Sequence, residues 1–65
     1  MTNTETRRAH ELRYGDIFYV EMPNGATFTE IVEAATVYDD FVYVIVAGQA
    51  DPYQFHVNEE FQVEN

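Results

Sequence analysis

Two histidines, His10 and His56, are the only residues in this 65-residue chain of the type best suited to acid–base chemistry near neutral pH. Serine, cysteine and lysine are absent, so the available nucleophiles reduce to threonine, tyrosine and carboxylates. A catalytic base needs a nucleophile within reach and a third group to orient it. His10 lies in a polar N-terminal stretch, whereas His56 alternates with Phe55 and Val57 and is expected to face solvent or a sheet rim. No spacing joins either histidine to a nucleophile, so the chain reads as a non-enzyme.

Metal and cofactor chemistry fare no better. His56, Glu59 and Glu60 lie close in sequence, and Asp39-Asp40 offers paired oxygen donors. Calcium loops need several oxygen ligands at fixed spacing around a glycine bend, and transition metals need convergent nitrogen and oxygen donors. Neither pattern is present, and no thiolate can contribute. Gly15, Gly25 and Gly48 are isolated turn residues, so no glycine-rich phosphate loop exists. The expectation is no metal and no cofactor.

Charge says more. Twelve acids face three arginines, for a net charge of -9. Arg7, Arg8 and Arg13 all fall in the first thirteen positions, leaving residues 14 to 65 with acids and no basic side chain other than His56. Phosphate binding requires Lys and Arg, so direct nucleic-acid binding and anionic membranes are disfavoured. A basic protein is the natural charged partner. Solubility, or adaptation to salt, accounts for the same acidity without any partner.

These side chains must be positioned by one small domain, near the lower size limit for folding without staples. Residues 1 to 11 read as a tail, flexible or carrying a short helical turn between Thr6 and Glu11. Residues 12 to 65 form the domain. The absence of cysteine fits a reducing compartment. The N-terminus has no apolar signal-like stretch, and the longest apolar run, Phe41 to Ala47, is too short for a bilayer helix. A cytoplasmic location is expected.

Within the domain the signals are β. Gly15-Asp16 leads into a strand with Phe18, Val20 and Met22 on one face and Ile17, Tyr19 and Glu21 on the other. Pro23-Asn24-Gly25 is a tight turn. The segment from Ala26 to Tyr38 fits two templates. Phe28, Ile31, Val32 and Ala35 have helical spacing, which would give an α+β fold with residues 28–36 helical. Its β-branched content favours a strand, with a bulge near Glu33 to explain the slipped alternation. Asp39-Asp40 then makes a two-residue turn, placing Tyr38 opposite Phe41 and Thr36 opposite Tyr43. Short strands at Tyr53 to Val57 and Phe61 to Glu64 bring the count to five, an all-β small barrel or sandwich.

The run LRYGDIFYVEMPNG, the aromatic Phe28, the Val42, Val44, Val46 strand and the closing NEEFQVE are similar to the pattern of SH3-like small β-barrels of the KOW type. The resemblance covers roughly residues 12 to 64 and implies a five-stranded SH3-like barrel. The whole looks like small acidic proteins of high-GC bacteria and their phages. It departs from nucleic-acid-binding KOW domains in having no Lys or Arg after Arg13, so their RNA-binding activity is not carried over.

The strand from Phe41 to Val46 is apolar on both faces. Val42, Val44 and Val46 fit an interior, with Phe18, Val20 and Phe28 as neighbours. Phe41, Tyr43 and Ile45 are left outside beside Tyr38, with Ile17 and Tyr19 on the outer face of the first strand and Glu30, Glu33, Asp39 and Asp40 as rim. Aromatic cores with polar rims are typical of interfaces. The expected function is therefore a protein-interaction module offering this face to a basic partner. The alternatives are an acidic mimic of nucleic acid that inhibits a host DNA- or RNA-binding protein, and a structural homodimer or assembly subunit.

Overall fold

The computed structural model describes residues 3–64. Six strands form one antiparallel sheet: β1 (Thr4–Arg8), β2 (Ile17–Glu21), β3 (Thr27–Tyr38), β4 (Phe41–Val46), β5 (Tyr53–His56) and β6 (Glu60–Glu64). Their spatial order is β1-β6-β2-β3-β4-β5. The sheet is open, with β1 and β5 as its two margins. A single 3-10 turn, Ala9–Glu11, follows β1 and crosses toward the β5–β6 connection. There Ala9 donates its N–H to the Glu59 carbonyl at 2.8 Å, and His10 donates to that of Val57 at 3.3 Å. No helix among the described residues is long and apolar enough to cross a membrane.

The all-β class holds, and three details of the expectation are corrected. Six strands replace five, because Thr4–Arg8, expected to be a tail, pairs along β6 from Thr4↔Glu64 to Arg8↔Glu60. This strand is polar and carries no apolar alternation. Its ladder is supplemented by Gln62 donating to the Thr6 hydroxyl at 2.7 Å and by Arg7 bonding to Asp16 at 2.9 Å and to Glu5. The helical alternative for residues 28–36 is excluded: the whole segment lies in β3. Its slipped alternation comes from a register irregularity between Val32 and Ala34, which places the extra residue at Glu33. Finally, Phe28 is exposed rather than interior, because its end of the β2–β3 hairpin reaches past the core.

The core is one cluster, as a chain of this size allows. Phe18, Val32, Val42, Val44, Val46 and Val63 are fully buried, and Ala9 and Leu12 from the N-terminal segment close over them. Phe18 sits edge-on to Tyr53, Phe55 and Phe61, with ring centroids 6.5, 6.1 and 5.4 Å away. The turn into β2 is fixed by Asp16, whose carboxylate accepts the Arg13 N–H at 2.8 Å. Gly15 there has φ +87, a left-handed conformation that a side chain would strain.

Candidate functional site

Antiparallel partners share a face, so the ladder registers define the outer surface of the sheet. Ile17 lies opposite Ile31, and Tyr19 opposite Thr29. Beyond the bulge, Ala34 pairs with Ile45, Thr36 with Tyr43, and Tyr38 with Phe41; Phe41 in turn faces His56 on β5. The two expected pairings around the Asp39-Asp40 turn are therefore present. Val42, Val44 and Val46 point inward and are fully buried, whereas Ile31 is 47%, Ile45 46%, Phe41 40% and Tyr38 69% exposed. Ile17, Tyr19 and Tyr43 are half-buried on the same outer face.

The result is a largely apolar band across β2, β3 and β4, interrupted by Thr29 and Thr36. All three isoleucines of the chain belong to it, while the core uses valine and phenylalanine with Leu12 and Ala9. Among the described residues no element lies over this band, and Ile31, Ile45, Phe41 and Tyr38 stay exposed. Ile31 belongs with the expected set and was missing from it. Counting the ladder outward from the Pro23-Asn24-Gly25 turn puts Ile31 opposite Ile17, a signal present in the sequence once that hairpin is accepted.

The acidic rim is partly redrawn. Glu33 is exposed at the bulge, and Asp39 and Asp40 are exposed at the hairpin tip. Asp39 has a φ of 54, a left-handed conformation that aspartate tolerates better than most residues. Glu30 is not part of the rim. It pairs with Phe18 and so lies on the inner side of the sheet, where its Oε2 accepts the Tyr53 hydroxyl and the Gln49 amide, both at 2.5 Å. The extra residue at Glu33 inverts the alternation, so Glu30 and Thr36 fall on opposite faces despite their even spacing. The Glu30 contact raises the Tyr53 pKa, first because the carboxylate accepts the phenol proton and second because of desolvation. Tyr19 is raised in the same way by Glu64, which accepts its hydroxyl at 2.6 Å.

The remaining chemistry is sparse. His56 is exposed, edge-on to Phe41 at 6.2 Å, and its Nδ1 accepts the Asn58 N–H at 3.2 Å. His10 is exposed on the 3-10 turn. Among the described residues no group of three or more His, Asp and Glu side chains is placed to hold a metal ion. A shallow cleft of about 660 Å³ lies at one end of the sheet, with Val20, Phe55 and Phe61 as its apolar wall and Glu21, Glu59 and Glu60 at its mouth. Neither histidine lines it. A comparison with protein-family models finds no match for the chain, and comparisons with curated proteins and with solved structures find none either.

Proposed function

We propose that this protein is a non-enzymatic interaction module of the SH3-like small-barrel type, which docks a basic protein partner on the outer face of β2, β3 and β4. The observation that carries the reading is the set of exposed Ile31, Ile45, Phe41 and Tyr38 on the outer face of the adjoining strands β3 and β4. Exposed apolar patches of this kind mark interaction surfaces, and aromatic residues dominate the energetics of such surfaces. The carboxylates of Glu33, Asp39 and Asp40 beside the patch steer a cationic partner toward it. Support for the small-barrel type comes from the strong curl of the sheet around one aromatic core centred on Phe18.

Nucleic-acid mimicry draws less support, because it asks for free carboxylates in rows along one face. Glu5, Glu11, Asp16, Glu30 and Glu64 are instead engaged in internal bonds. Affinity capture from lysate with wild type beside a Tyr38→Ala/Tyr43→Ala double variant tests the proposal. The proteins retained by wild type are expected to be lost or strongly depleted with the variant. Identical sets from both would overturn the assignment of this face.

A further inference from the structure

We infer that the open edge of β3 beyond its bulge, from Ala34 to Tyr38, is a strand-addition site for an extended segment of a partner protein that is apolar at its centre and basic at its ends. The inference rests on the interaction-module reading and specifies how the partner engages. β2 pairs with β3 only from Thr27 to Ile31. The last bonds on that side run from Gly15 N–H to the Val32 carbonyl and from Val32 N–H to the Asp16 carbonyl, both 2.9 Å. From Glu33 to Tyr38, β3 continues with β4 on one side and, among the described residues, no strand on the other.

The phase of the ladder identifies the unpaired groups. Val57 donates to the Asp40 carbonyl, so Asp40 and Val42 direct their backbone groups to β5, and Phe41 and Tyr43 direct theirs to β3. Tyr38 and Thr36 are therefore the hydrogen-bonded partners, and Val37 and Ala35 turn their N–H and C=O groups to the open side. Every residue from Glu33 to Tyr38 is exposed. Of the devices that blunt an edge strand, a bulge stands at the start of this edge, but lysine and proline are missing from Ala34 to Tyr38. An added strand would gain those backbone bonds. It would also cover Val37, 54% exposed on the inner side, and Tyr38 on the outer band.

Charge selects the occupant. Glu33 stands at one end of the open edge and Asp39-Asp40 at the other. In an antiparallel pair of two copies centred on Thr36, Asp39 of each would oppose Glu33 of the other, which is unfavourable for like charges. Each copy also carries a net charge of -9. A foreign strand with Lys or Arg at its ends meets both carboxylate groups with the opposite sign.

The test uses protein labelled with 15N and with 13C in its isoleucine methyls, and two end-blocked peptides, Lys-Val-Thr-Val-Thr-Val-Lys and its counterpart with glutamate at both ends. Saturation with the basic peptide is expected to slow amide exchange at Ala35 and Val37 by about tenfold or more, the equivalent of about 1.4 kcal/mol, while the acidic peptide leaves both unchanged. Ala35→Pro deletes an N–H that the β4 ladder does not use and should abolish the protection. Glu33→Lys/Asp40→Lys keeps the backbone free and should transfer the preference to the acidic peptide. Absence of protection with either peptide, or protection that ignores both variants, would overturn the edge site. If the basic peptide perturbs only the Ile17, Ile31 and Ile45 methyl signals, the edge site falls and the face reading stands. If edge protection appears while the Tyr38→Ala/Tyr43→Ala variant retains every captured protein, the face reading falls and the edge site stands.

Discussion

Val44 and Ile45 are neighbours in the chain and opposites in the structure, and replacing each by threonine separates the two faces of β4. Threonine is β-branched like both parents, so strand preference is nearly constant across the pair. Val44 is 0% exposed in a core that contains no buried polar side chain, so the new hydroxyl at that position has no side-chain partner. An unsatisfied buried polar group of this kind costs about 1–3 kcal/mol. Ile45 is 46% exposed, and its hydroxyl would reach water. Surface substitutions of this type stay within about 0.5 kcal/mol, with a little more here for the half of the side chain that is covered. A domain of this length has a total stability of about 3–10 kcal/mol, so Val44→Thr removes a large fraction of it. At about 4–8 °C per kcal/mol, Val44→Thr should lower Tm by at least about 4 °C and Ile45→Thr by clearly less. Circular dichroism melts at two protein concentrations provide the measurement. Equal losses at both positions would refute the argument that the outer face is uncovered. A loss at Ile45 that grows with protein concentration would instead reveal self-association across the band.

Four further outcomes follow from the same geometry. Phe18→Ala removes the ring that touches Tyr53, Phe55 and Phe61 and should cost about 3–5 kcal/mol, leaving the domain largely unfolded at 37 °C by near-UV circular dichroism. Asp39→Gly relieves the left-handed backbone at φ 54 and should raise stability by about 0.5–1 kcal/mol in urea titration. The Tyr53 pKa is raised above its ordinary value of 10.0, so its bond to Glu30 stabilises the fold fully below that pH and is lost as pH climbs through the folded value. In Glu30→Gln, absorbance titration should show one tyrosine ionising at lower pH than in wild type. Glu11 is held below the usual carboxylate range, chiefly because it accepts the Arg8 N–H; its stabilisation is present above the ordinary carboxylate pKa and fades as acid protonates the folded form. Glu11→Gln should therefore flatten the acid limb of the stability profile.

The strand that follows Asp39-Asp40 was the most legible part of the molecule. Two aspartates at a hairpin turn fix a register, and alternate valines fix which face is inside. The N-terminal strand was not legible, because Thr4–Arg8 earns its place through backbone bonds and polar pairs that leave no apolar period. The bulge at Glu33 explains the inverted face of Glu30. One extra residue in β3 shifts the alternation, so faces counted back from Tyr38 are inverted for Glu30 and correct again only if the bulge is placed. A bulge near Glu33 was inferable from the slipped pattern, but its effect on Glu30 emerged only from the paired register. Phe28 escaped for a different reason: it has inward parity, and alternation does not say where the core ends.

The three isoleucines provide the most direct test of the interaction face, because isoleucine occurs nowhere else in the chain. Protein carrying 13C-labelled isoleucine and valine methyls can be titrated with the proteins that wild type captures and the Tyr38→Ala/Tyr43→Ala variant does not. The Ile31 and Ile45 methyl signals should shift or broaden on binding, while those of buried Val42, Val44 and Val46 hold their positions. Binding that leaves all three isoleucines untouched would contradict the account, and would place the partner on another surface of the sheet.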